Sequence, residues 1–210
     1  FGAIFVSAGS INLDETGTLA STVAMAGGTL DVDETATVSG ALTQSGDITI
    51  DVLTDKILTY SAAAVDIGAN TLTLSGGGTL TNTNNLVLSN ANSKLLLNSI
   101  TLGSASTSSD SLGVDVDANS TITALTVSNT TPVSIADGVS LSGGIAATAG
   151  SINLDETGTL ASTVTMAGGT LDVDETATVS GALSHSADIT IDVLTDKTLT
   201  YSGTAISLGA

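Results

Sequence analysis

The sequence predicts an all-β fold, a parallel β-solenoid (β-helix) of about ten rungs of roughly 20 residues each. Three observations predict it. The chain repeats itself at a long and a short period. Its apolar residues alternate with polar ones over short stretches. Gly, Asn, Asp and Ser punctuate those stretches.

The long repeat is unmistakable. Ser10-Ile11-Asn12-Leu13-Asp14-Glu15-Thr16-Gly17 returns as residues 151–158, an offset of 141 (151 − 10). Residues 8–69 match 149–210 at all but ten of 62 positions, and 25–42 is identical to 166–183. The 210 residues therefore read as one continuous solenoid: a 141-residue unit over about 10–150, then a partial second copy over 151–210. The opening Phe1-Gly2-Ala3 has no basic segment and no long apolar run, so neither a signal peptide nor a membrane span is expected there. The chain reads as an internal or processed piece of a longer repeat protein.

The short period sets the rungs. Strand-like starts fall at Ile11, Leu30, Ile48, Leu72, Leu95, Val114, Val133, Ile152, Leu171 and Ile189, spaced 18 to 24 residues apart. The rungs share an order of elements. An apolar-x-apolar strand comes first, then a polar corner, then a second strand, as in Leu13-Asp-Glu-Thr-Gly-Thr-Leu19 and Val32-Asp-Glu-Thr-Ala-Thr-Val38. A third apolar cluster such as Val23-Ala24-Met25 follows, and a Gly27-Gly28 corner closes the rung. No stretch of ten residues carries a helical apolar stripe, and the Ser/Thr/Val/Ile enrichment disfavours helix. A propeller blade needs about 40 residues, so the short period selects a solenoid. Each rung then covers the open backbone edge of its neighbour around a narrow aliphatic core. The longer rungs leave room for outward loops, expected at Thr81–Asn85 and at Gly103–Ser111.

Composition excludes several functions. There are 21 acidic residues against 3 lysines and no arginine, a net charge of −18. Such a chain repels a phosphate backbone and an anionic lipid surface, so neither nucleic acid nor membrane insertion is expected. There is no cysteine, hence no disulfide and no thiol chemistry, and the single His185 rules out a multi-histidine metal site. Lys56 and Lys197 occupy one repeat position, beside Asp55 and Asp196, and read as surface ion pairs. Near-identical copies argue against a unique active site, so no enzymatic activity is expected. A polysaccharide-active enzyme is the least favoured reading.

The string Thr71-Leu72-Thr73-Leu74-Ser75-Gly76-Gly77-Gly78-Thr79-Leu80 resembles the repeats of bacterial autotransporter passengers and large secreted adhesins. The resemblance is one of texture and covers most of the chain. It implies an extracellular or cell-surface location and a non-catalytic fibre, stalk or matrix element, self-associating end to end or laterally. An adhesin stalk and a carbohydrate- or ice-binding solenoid are the alternatives, with a glycan as partner.

One column of residues invites a ligand. Asp14, Asp33, Asp51, Asp117, Asp155, Asp174 and Asp192 each follow the second apolar residue of their rung. If the rungs stack on these starts, Asp14, Asp33 and Asp51 lie about 5 Å apart and repel one another. A row of Ca²⁺ ions held by Asp14, Asp33, Asp51, Asp155, Asp174 and Asp192 would relieve that repulsion, with Glu15, Glu34, Glu156 and Glu175 alongside. A solvated acidic edge screened by salt is the alternative. Neither the β-roll calcium nonapeptide nor an EF-hand loop is present. The remaining candidates have bland readings. His185 reads as a surface loop residue, Tyr60 and Tyr201 as rim packing, and the sequons at Asn119 and Asn129 as chance. The Thr-x-Thr pairs at 71/73, 79/81, 121/123 and 198/200 do not recur at one slot of consecutive predicted rungs, which speaks against a flat threonine array.

Overall fold

The computed structural model describes residues 2–107, 111–128, 132–154, 156–204 and 206–207. Those residues form strands and no helix. Every ladder between the strands is parallel. The chain is a parallel β-solenoid of about 10 turns, and at about 4.8 Å per rung it rises roughly 48 Å.

Three faces run along the rod. The first face stacks Ser10–Leu13, Gly28–Val32, Ile48–Val52, Thr71–Ser75, Lys94–Asn98, Gly113–Ala118 and Val133–Ile135. It continues with Ser151–Leu154, Thr170–Val173 and Thr190–Val193. The second face runs from Gly17–Leu19 through Ala36–Val38, Ile57–Tyr60 and Thr79–Asn82 to Ala177–Val179 and Leu199–Tyr201. The third begins with Ile4–Val6, Val23–Met25 and Leu42–Gln44 and ends with Thr163–Met166, Leu183–His185 and Ile206–Ser207. In the middle rungs, Thr101–Thr107, Ser120–Val127 and Ser140–Ala147 are single long strands that serve both the second and third faces.

Alternation puts every second residue inside. Leu30, Ile50, Leu74, Leu97, Val116 and Ile135 form one buried column, each paired with the next across the ladder. Ala36, Leu58, Leu80, Leu102 and Ile122 form another on the second face. The columns merge into one aliphatic core.

The register departs from the spacing of starts read in the sequence. Ile48 pairs with Gly28, and it is Ile50 that pairs with Leu30. In the second copy Ile191, not Ile189, pairs with Leu171. The cause is local. Ile48, Ile50 and Val52 all face inward, so a slip of two residues leaves the apolar pattern unchanged. Gly28 fills the corresponding inward slot one rung earlier. Its φ is +92°, and a Cβ there would come 2.1 Å from the Gly9 carbonyl oxygen, so no apolar side chain marks the column at that corner.

The expected loops are shorter than the sequence suggests. Asn82 ends a strand, with its side chain bonded to the Ser104 backbone on both sides: Nδ2 donates to the Ser104 carbonyl at 2.8 Å, and Oδ1 accepts the Ser104 N–H at 2.8 Å. Gly103–Thr107 belongs to a strand in which Ala105 and Thr107 face inward. Small and polar inward residues disguise it as a loop. Residues 108–110 lie outside the described residues.

Tyr60 is core, not rim. It is 4% exposed, and its hydroxyl accepts the Leu42 N–H at 3.1 Å where the third face begins. Tyr201 does the same for Leu183 at 3.3 Å in the second copy.

Two substitutions check this packing. Leu97→Ala, in the inward column, is expected to cost about 2–5 kcal/mol, and its outward neighbour Leu96→Ala about 0.5 kcal/mol or less, in reversible denaturant unfolding. Tyr60→Phe keeps the ring but leaves the Leu42 N–H without its acceptor, and a loss of about 1–3 kcal/mol is expected.

Candidate functional site

Most of the described acidic residues sit on the first face and on the corner that joins it to the second. Their arrangement follows from the register. Asp31 pairs with Asp51, and that ladder column runs Asn12, Asp31, Asp51, Ser75, Asn98. Asp14 and Asp33 belong to the next column over. They follow the paired residues Leu13 and Val32, and the Asp33 N–H donates to the Leu13 carbonyl at 3.2 Å. The slot above Asp33 is taken by Leu53, since Val52 lies over Val32.

The single column of Asp14, Asp33 and Asp51 is thus two offset columns. The second copy repeats the arrangement. Asp192 pairs with Asp172, and Asp174 follows Val173 beside Asp192's column rather than beneath Asp192. Asp155 lies outside the described residues. Asp117 is the extra residue of a bulge, because Leu97 pairs with Val116 and Asn98 with Ala118. Among the described residues no three acidic or histidine side chains converge as metal ligands would.

The glutamates expected to assist have other partners. Glu34 takes Lys56 at 2.7 Å and Glu175 takes Lys197 at 2.5 Å, each from the neighbouring rung. Neither lysine uses the adjacent Asp55 or Asp196 that the sequence suggested. These two aspartates instead hold the left-handed turn before the lysine, at φ 65° and 67°. Glu156 accepts the Asp137 N–H at 2.9 Å. Lys94 pairs with Asp115 across the first face.

Asp31 is the member that sequence reasoning leaves out, and it is the electrostatic centre. It is flanked by Asp51 across the ladder and by Asp33 two residues along the strand. Its carboxyl is pushed above the ordinary range by loss of solvent, then by the charges of Asp33, Asp51 and Asp14, against a backbone hydrogen bond at Val32. The pattern Asp31-Val32-Asp33 puts two carboxylates on one side of a strand, which was the available signal. Asp137 shows the reverse. The hydroxyl and N–H of Thr157 donate to it at 2.6 and 2.7 Å and hold its carboxyl below the ordinary range.

The threonines form the columns that the spacing of predicted starts hid. Thr18, Thr37, Thr59 and Thr81 stack in register on the second face. Thr29, Thr49 and Thr73 do so on the first. His185 ends a strand opposite Met166 rather than sitting in a loop, with Nδ1 3.0 Å from the Ala187 carbonyl oxygen. The Asn119 side chain accepts the Ser140 N–H at 2.8 Å, and Asn129 lies outside the described residues.

No family model, curated protein or solved structure matches the chain.

The geometry yields a pH expectation. A carboxyl whose folded pKa exceeds its unfolded value opposes folding once ionised. That opposition is absent below the unfolded pKa and grows as pH rises through the folded one. Asp31→Asn is therefore expected to raise the melting temperature at neutral pH. The gain should shrink as pH falls toward about 4, where the carboxyl protonates in both states. A variant that melts lower than the parent at neutral pH would refute the repulsion.

Proposed function

We propose that this chain is a structural element of an extracellular or cell-surface assembly, a stiff rod that serves as fibre, stalk or matrix and extends by end-to-end stacking, without catalysis. The observation that carries the reading is the parallel ladder of the second face, continuous from Gly17–Leu19 to Leu199–Tyr201 over one aliphatic core, in a chain whose long unit repeats almost unchanged. Bending such a rod means breaking backbone hydrogen bonds on one side and opening packed columns on the other.

Stacking has a template within the chain. Ile50 and Val52 are 3% and 0% exposed beneath Thr71–Ser75. The same rung returns 141 residues later as Thr190–Val193, and a rung of this kind accepts another because its N–H and C=O groups point along the rod. The extracellular location rests on the textural likeness to secreted adhesins.

Negative-stain electron microscopy of the purified chain, with calcium and with chelator, tests this. Filaments many rods long are expected in both conditions. Filaments formed only with calcium would make the acidic edge a ligand site. Short separate rods in both conditions would defeat the fibre reading and leave a stalk or a binding module.

A further inference from the structure

The charge on this rod is confined to one side. Among the described residues, the strands of the second and third faces carry one carboxylate, Asp66. Asp47 and Asp188 lie at the corner between the third and first faces, and the other described acids and all three lysines lie on the first face or its corner with the second. The corner joining the second and third faces holds only small and neutral residues such as Ser39, Gly40, Ser180 and Gly181. On a chain of net charge −18, two adjoining faces are thus almost free of charge.

Along two of their columns those faces are also smooth. The outward column Ser106, Thr126, Ala146, Thr165, Ser184 is continuous over five rungs of the third face, with no side chain larger than threonine. Thr18, Thr37, Thr59 and Thr81 give the second face a similar column. Between the two faces, Ala124, Gly144 and Ala146 line a shallow, largely apolar hollow.

We infer that the neutral side is a lateral interface that takes a second copy of this chain, with the acidic sides of the two rods turned outward. Like charges facing one another oppose contact through the first face, and only the neutral side lets two such rods approach without that cost. An antiparallel or parallel pair about a two-fold axis would set the two acidic edges on opposite sides of the assembly. The available area suffices. A face about 48 Å long and about 15 Å wide offers roughly 700 Å² per partner, close to the roughly 800 Å² of a standard specific interface. Short threonine, serine and alanine side chains allow close approach and lose little rotamer entropy on contact. These two columns carry no aromatic ring; the exposed Phe5 stands outside them, paired with Ala24 at the first rung of the third face.

This names the lateral contact of the fibre reading and rests on its premise that the chain self-associates. Sedimentation of the full 210-residue chain in chelator tests it, with two double variants. Thr81→Glu with Thr165→Glu charges the neutral side, and Asn12→Asp with Asn98→Asp adds the same charge to exposed positions of the first face. The parent and the Asn variant are expected to pair side by side. The Thr variant is expected to pair about tenfold more weakly or not at all. Thr126→Glu, at a different rung, serves if the Thr pair impairs folding, which circular dichroism reports.

Equal pairing by the Thr variant, loss of pairing in the Asn variant, or pairing that needs calcium would each overturn the inference. So would a chain that stays single and instead shows thermal hysteresis or binds an insoluble neutral polysaccharide. Micrographs separate the two readings. Filaments one rod wide that never pair would sink the lateral contact and keep the fibre. Paired rods that never lengthen would do the opposite.

Discussion

The parallel register between successive rungs is the constraint on which the rest of this structure depends. Each strand leaves a row of N–H and C=O groups that only the next rung satisfies, and each inward side chain packs on the residue paired with it. Variation is therefore pushed to the corners. The long rungs add their residues between faces, as at Gly76-Gly77-Gly78 and Asn90–Ser93, while the first-face strands on either side stay paired residue for residue. Where one residue too many falls inside a strand, it is expelled as the bulge at Asp117 and the ladder resumes at Ala118. Corners that bring two rungs into contact admit no Cβ, as at Gly28 and its copy Gly169, where the added atom would lie 2.0 Å from the Gly150 carbonyl oxygen.

How much of this could be read from the sequence follows from the same constraint. The fold class and the inward residues were legible, because alternation between apolar and polar residues survives any even slip. The register was not, because Ile48, Ile50 and Val52 are interchangeable as apolar positions and Gly28 hides the slot that would have distinguished them. The error in the acidic column descends from that slip of two, which moved Asp51 from beside Asp31 to beside Asp33 and parted Thr29 from Thr49. The second-face threonines were hidden separately, because Thr37 and Thr59 are 22 residues apart (59 − 37) where their first-face neighbours Leu30 and Ile50 are 20 apart (50 − 30). Asp117 was misplaced by its bulge. Tyr60 was missed for a different reason. A hydroxyl on a strand reads as an outward group unless its backbone partner, here the Leu42 N–H 18 residues away, is known.

A repeat protein with a parallel ladder also faces an electrostatic difficulty. Identical rungs stack identical residues, so an acid placed once in a short repeat would meet itself at every step, about 4.8 Å away. The chain limits this in three ways. Carboxylates are given donors from a neighbouring rung, as Ser75 donates to Asp51, Ser89 to Asp66 and Thr157 to Asp137. Lysines are set one rung from a carboxylate, at Glu34, Asp115 and Glu175. Neutral residues cut each acidic run short, so that Asp31 and Asp51 are bounded by Asn12 below and Ser75 above, and Asp33 is bounded by Leu53.

That third device explains the length of the repeat in physical terms. A uniform unit of about 20 residues could build the core equally well, since the core asks only for aliphatic residues at alternate positions. It could not break an acidic column, because every rung would carry the same acid. A 141-residue unit supplies rungs that differ at the outward slots while agreeing at the inward ones. Asn12, Ser75 and Asn98 fill the outward slot that Asp31 and Asp51 occupy elsewhere, while Leu74 and Leu97 continue the inward column of Leu30 and Ile50 unchanged. Core and surface thus follow different periods along one chain. The inward period is a single rung and sets the fold. The outward period is the whole unit, and it keeps like charges from stacking in a continuous row on the first face.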